Sequence, residues 1–175
     1  INDILDYSKI DGDKLDLERS SFDLGLCIEE AFDLVSSRAS EKGLELAYFL
    51  EDDLSGEVIG DVTRLRQVLV NLLGNAVKVT EKGEVTLTVG SSPGPNGMVK
   101  IHFAIKDTGI GISKADQKRI FEKFYRSEDY RTRETSGTGL GLYVVQKLAR
   151  KLGINIEIQS RLNHGSTFSF TLPLR

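Results

Sequence analysis

The chain has 175 residues, 39% apolar and 28% charged, with a net charge of −3. This is the composition of an ordinary globular domain with a core of its own, and its slight acidity argues against a nucleic-acid binder. A single cysteine, Cys27, excludes an intrachain disulfide and points to a reducing, cytoplasmic setting; no apolar run reaches the ~18 residues of a membrane helix. The first residue is Ile1, not Met, and no signal peptide follows it, so the sequence reads as a piece of something longer.

In chain order, Ile1, Ile4, Leu5 and Ile10 fall near helical spacing and predict the end of a helix entering from upstream; "DGDKLDLE" breaks it. An amphipathic helix is expected from about Leu26 to Glu41, with Ile28, Phe32, Val35 and Ala39 on one face, Cys27 as a small helix residue and Gly43 as the C-cap. "LELAYFL" reads as a strand. Asp61 is a good N-cap for a helix through about Val79, whose buried face is Leu65, Val68, Leu69, Leu72, Leu73 and Ala76. "EVTLTV" and "VKIHFAIKD" alternate at period two around the turn "SSPGPNG" and predict a hairpin. Ser113 with Asp116 resembles a capping box for a short helix running into Phe121. Residues 125–136 contain no aliphatic side chain and predict a mobile loop. A last helix, about Leu140 to Leu152, is followed by a second hairpin, "INIEIQS" and "STFSFTL". The expected fold is α/β: a two-layer sandwich with a mixed, mostly antiparallel five-stranded sheet and about three helices on one face.

Three motifs carry chemistry. In "SGTGLGL", Gly137, Gly139 and Gly141 recur at every second position and lead into a helix. Glycine is costly to order, so three in five positions imply a ligand that must approach the backbone closely. Exposed N–H groups and the helix dipole favour an anion there, most naturally phosphate. In "RLRQVLVNLLGNAVKVT", Asn71 and Asn75 lie at i and i+4 with Lys78 three further on, all opposite the leucines. Their alternative reading is a solvated face. Amide oxygens nevertheless suit Mg²⁺, and Lys78 suits a phosphate. In "DTGIGI", Asp107 stands at a strand end, and Gly109 and Gly111 let a flat ligand lie against the chain. A buried carboxylate needs a donor, and the exocyclic amine of a base would serve; the alternative is a plain Asp-Thr-Gly turn.

Together, the Asn helix, the strand ending in Asp-x-Gly-x-Gly, "FEKFYR", the triple glycine and "HGSTFSF" resemble the ATP-binding domain of sensor histidine kinases. That domain belongs to the wider GHKL class, with its Bergerat-type fold, which includes gyrase B and MutL. The likeness covers about Phe22 to Leu174. Residues 1–20 resemble the end of a kinase's dimerisation helix and its linker, in the style of hybrid kinases, leaving 21–175 as the catalytic ATP-binding domain.

The resemblance implies ATP and Mg²⁺. Asp107 would bind the adenine amine, supported by Thr167. Gly109, Gly111 and Ile112 would line the base. Asn75, with Asn71 beside it, would hold the metal, next to Lys78. Gly137, Thr138, Gly139, Leu140, Gly141 and Leu142 would wrap the phosphates in a lid of about 125–138, with Arg126 on the phosphate side. Asn71 stands where ATPase relatives carry a Glu base, which implies poor ATP hydrolysis. Val79 replaces a common aromatic, and Ser136 a common glycine. Neither His102 nor His164 has the setting of a phosphoacceptor, so the acceptor is expected on upstream dimerisation helices. Further expectations are a receiver domain of a response regulator as partner, a homodimeric parent, and a monomeric or weakly dimeric fragment. The alternatives are a non-catalytic nucleotide sensor and an ATPase switch.

Overall fold

A computed structural model describes residues 18–51, 54, 56–122 and 141–174. The predicted incoming helix in residues 1–10 and the predicted loop at 125–136 lie outside these. The elements are β1 (Ser20–Asp23), α1 (Leu24–Glu41), β2 (Glu45–Leu50), β3 (Glu57–Gly60), α2 (Val62–Val79), β4 (Glu84–Pro93), β5 (Val99–Asp107), α3 (Lys114–Gln117), α4 (Gly141–Leu152), β6 (Glu157–Ser160) and β7 (Ser166–Leu174). Five strands form one sheet in the order β2-β4-β5-β7-β6; only the β2–β4 pair is parallel. β1 and β3 form a separate antiparallel pair that the sequence reading did not foresee. The α3 helix also stops at Gln117, short of the expected Phe121.

Alternation in the central strands sends Val85, Leu87 and Val89, Ile101, Phe103 and Ile105, and Phe168, Phe170 and Leu172 to one side, where the helices cover them. The Phe103 and Phe170 rings stack with centroids 4.7 Å apart. The layer on that side is α1, α2 and α4, with α2 between the other two. Its buried stripe is the one expected, with Val77 added.

The helix ends are defined chemically. Gly43, at φ 68°, terminates α1: its N–H reaches Ser40 O at 3.0 Å, and Leu44 N–H reaches Ala39 O at 2.9 Å. This is a Schellman motif with its apolar contact between Leu44 and Ala39, both buried. The α2 helix is fastened at both ends. Asp61 Oδ1 accepts from Arg64 N (2.9 Å) and its Oδ2 from Glu18 N (3.0 Å). Glu18 Oε1 in turn accepts from Thr63 N at 3.0 Å and Thr63 Oγ1 at 2.7 Å. At the other end Lys42 Nζ donates to Val77 O (2.8 Å) and Lys78 O (3.0 Å), a cation where the helix dipole is negative.

Asp61→Ala removes the cap and the acceptor of Glu18 N–H together. Loss of a cap costs about 0.5–2 kcal/mol, so the melting temperature should fall by several degrees, with faster amide exchange at Thr63 and Arg64. Hydrogen exchange and thermal denaturation check both.

Candidate functional site

Asp107 ends β5 on the helix side of the sheet and is 2% exposed. Its Oδ1 accepts from Gly109 N at 2.9 Å, closing a local turn. Its Oδ2 is buried and has no hydrogen-bond partner among the described residues. Burial pushes this carboxyl above the usual carboxylate range, while the N–H groups of Gly109 and Ser166 pull it the other way.

The chain after Asp107 is held from two sides. On one side, Ile110 N donates to Val79 O (3.3 Å) at the end of α2. A Cβ on Gly109 would stand 2.5 Å from Val79 O and 2.9 Å from the Oγ1 of fully buried Thr80, so only glycine lets Asp107 lie this close to the helix. Thr80 Oγ1 itself donates to Ala76 O at 2.7 Å. On the other side, Asn163 N donates to Ile110 O (2.6 Å), and Ile112 N to Ser160 Oγ (2.8 Å). Gly111, at φ 72°, lies so close to the Arg161 carbonyl that a side chain would collide with it. The loop is therefore a bed of backbone clamped between α2 and the β6–β7 turn.

Asn71, Asn75 and Lys78 lie on α2 outside its leucine stripe, each half-buried. Asn75 precedes Val79 by one helical turn, about 6 Å along the axis. The contact of Val79 with Ile110 therefore brings the amide face next to the loop carrying Asp107. Among the described residues no cluster of three or more His, Cys, Asp or Glu could hold a metal ion. A divalent ion here would rely on the amide oxygens together with water and phosphate.

Several expected site residues stand differently. The register sets Ser166 opposite Asp107 and Thr167 opposite Lys106. Ser166 is buried on the helix side, so the alternation of β7 turns Thr167 to the other face. The hydroxyl beside the carboxylate is thus Ser166, one residue before the one expected, and Thr80 is a second hydroxyl that was missed. Ile112 and Leu142 are half-buried and join the core. Among the described residues a Cβ on Gly141 would meet nothing within 4 Å, unlike one on Gly109 or Gly111. Arg126, Gly137, Thr138, Gly139 and Leu140 lie outside the described residues. His102 sits in β5 with its ring nitrogens 2.8 Å from the hydroxyls of Ser92 and Thr171. Cys27 is buried, and burial pushes its thiol up to about 11, so it is packing and not a nucleophile.

A carboxyl whose folded-state pKa is raised contributes stability that is present below its unfolded pKa and lost as pH rises through the folded value. Asp107→Asn should therefore stabilise the ligand-free chain at neutral pH and raise its melting temperature. It should also remove that limb of the pH dependence. Thermal melts of both chains across acid to neutral pH check the sign.

Residues 60–175 match the family described as "Histidine kinase-, DNA gyrase B-, and HSP90-like ATPase". Across 99% of its length the chain is 42% identical to the signal transduction histidine-protein kinase BarA of Escherichia coli K12, and 34% identical to the sensor histidine kinase GacS of Pseudomonas protegens. Across 100% of its length it is 37% identical to hybrid signal transduction histidine kinase L of Dictyostelium discoideum. It spans only 19%, 19% and 10% of those proteins. Full-length ShkA, solved in complex with AMPPNP, superposes with a TM-score of 0.82 at 33% identity, covering 99% of this chain and 35% of ShkA. A catalytic domain of histidine kinase ThkA superposes at 0.68 with 25% identity, covering 89% of this chain and 95% of that one. The five-stranded sheet with its helical layer, the glycine bed after Asp107 and these likenesses agree: the chain belongs to the histidine kinase-, DNA gyrase B- and HSP90-like ATPase family, and it is similar over nearly its whole length to the catalytic region of histidine kinases.

Proposed function

We propose that this chain binds Mg·ATP between α2 and the loop after Asp107, and presents the γ-phosphoryl group to a histidine on a separate helical segment of its parent protein. The observation that carries this reading is the buried Oδ2 of Asp107, without a partner among the described residues, beside a bed of backbone. A buried acceptor without a donor is costly. The adenine amine supplies that donor, and the glycines leave room for the flat ring. Guanine offers a carbonyl at the same place and would leave two acceptors facing each other.

Asn75 and Asn71 would hold Mg²⁺ through their amide oxygens, with Lys78 beside them as a point charge for phosphate. The ion would supply charge neutralisation across the phosphates, where phosphoryl transfer rests mainly on positioning and electrostatics. Arg126, Gly137, Thr138, Gly139, Leu140 and Gly141 are assigned to the phosphate end by their sequence pattern, with residues 125–138 as a lid over it. An amide at Asn71 cannot take a proton from water, so the bound nucleotide is kept for the histidine. His102 is engaged by two hydroxyls within a strand, which supports an acceptor elsewhere. Residues 1–20 are taken as the tail of the acceptor-bearing, dimerising segment, with a receiver domain as the next carrier and the cytoplasm as the site of action. No described helix is long and apolar enough to cross a membrane.

Calorimetry tests the base end. Asp107→Ala should weaken Mg·ATP by about 10–150-fold, the equivalent of ~1.5–3 kcal/mol for a hydrogen bond to a charged group. GTP should bind poorly to the unaltered chain; equal affinity for ATP and GTP would sink the assignment. For the chemistry, the chain alone should take no acid-labile label from γ-labelled ATP. Supplying a histidine-bearing helical hairpin in trans should restore transfer, slowly for want of a tether, and Asn75→Ala should abolish it. Acid-labile label on the isolated chain that disappears on substituting His102 or His164 would show that the acceptor has been misplaced.

A further inference from the structure

The loop from Gly109 to Ile112 has no regular structure of its own, so its shape depends on what grips it. Its last residue, Ile112, is held at both backbone groups. Its N–H donates to Ser160 Oγ (2.8 Å), and its carbonyl accepts from Gln117 Nε2 (2.8 Å). Gln117 Nε2 also donates to Ser160 O at 3.1 Å, so its two amide hydrogens tie Ile112 and Ser160 together. Ser160 Oγ further reaches Gly165 O at 2.9 Å and Ser166 Oγ at 2.8 Å.

A hydroxyl has one hydrogen to donate and two lone pairs to accept with. Ser160 can use all three: it donates to Gly165 O, and accepts from Ile112 N–H and Ser166 O–H. Each partner adjoins Asp107. Ile112 closes the loop that leaves it. Gly165, at φ 80°, presses its backbone so closely on the Asp107 carbonyl that a side chain would collide. Ser166 is its cross-strand partner.

We infer that Ser160 is a positioning residue for the base-binding loop. Its hydroxyl, braced by Gln117, sets the distance between the glycine bed and the strand opposite Asp107. The inference rests on the reading of that loop as the base site. Neither side chain touches the nucleotide under this reading; both act through Ile112, Gly165 and Ser166. Their loss should therefore weaken every ligand that carries adenine, and weaken each to the same degree, because the phosphate end is unchanged.

The test uses the 175-residue chain with Ser160→Ala and Gln117→Leu, and Ser92→Ala as a control on the far face of the sheet. Each is measured below its own melting temperature. Calorimetry should show adenosine, ADP and Mg·ATP weakened alike, by about 3–10-fold in Ser160→Ala and Gln117→Leu. The preference for ATP over GTP should narrow, and the control should bind normally. Hydrogen exchange without nucleotide should show faster exchange at Ile110 and Ile112 in the two variants. Folded variants that bind as the unaltered chain does, or that lose ATP but not adenosine, would overturn the positioning role. Failure of the unaltered chain to bind adenosine or Mg·ATP would instead overturn the nucleotide reading. The exchange measurement would still decide whether Ser160 holds the loop, since unchanged exchange at Ile112 refutes it.

Discussion

A single carboxylate oxygen organises this molecule. Asp107 is buried with one oxygen satisfied locally and the other without a partner among the described residues. A charge in that position is costly until a donor reaches the open oxygen, and the rigid surroundings keep the protein from closing over it. The glycines follow from this. Gly109 admits the end of α2, Gly111 the Arg161 carbonyl, and Gly165 the carbonyl of Asp107 itself. Each would fail with any side chain, and each failure would push a wall away from the same carboxylate. The site is thus built from backbone approach, with few side chains, which suits a ligand recognised by its flat face and one polar edge.

Much of this was legible in the sequence. The capped helices were, because Asp61 and Gly43 act through local geometry that a sequence displays. So were the long strands, because β4, β5 and β7 bury one face and so alternate plainly. The β1–β3 pair was not. Each strand has four residues, and their pairing joins segments about forty apart through backbone groups alone. The hydroxyl beside Asp107 was misplaced by one residue for a related reason. The motif places a hydroxyl near the end of the chain, but only the register of β7 on β5 decides whether Ser166 or Thr167 faces the helices. Ser160 and Gln117 left no signal either: a serine in a short strand and a glutamine in a short helix are unremarkable until the fold sets them around Ile112.

The two sides of the loop after Asp107 are held by different kinds of contact. Towards α2 the grip is steric, with one long backbone hydrogen bond from Ile110. Towards the β6–β7 turn it is a set of short hydrogen bonds through Ser160, Gln117 and Asn163. Steric contact limits how far the loop can close but does not resist its opening, whereas hydrogen bonds resist both. The loop therefore belongs mechanically to the sheet side, and α2 is the surface against which it rests.

The fastening at Glu18 limits how α2 can move. Glu18, two residues before β1 begins, donates its N–H to Asp61 and accepts at its carboxylate from Thr63, across the start of that helix. The helix has 18 residues, about 27 Å of rod, and its far end rests on the loop after Asp107. Its buried leucines interlock with α1 and α4, so it can tilt or shift only by repacking as a unit. Tension on the chain ahead of Ser20 thus enters a stiff lever at one end, and the amides of Asn71 and Asn75 ride on it towards the other. The contact with Glu18 and the contact with the loop after Asp107 thus lie at the two ends of one stiff helix.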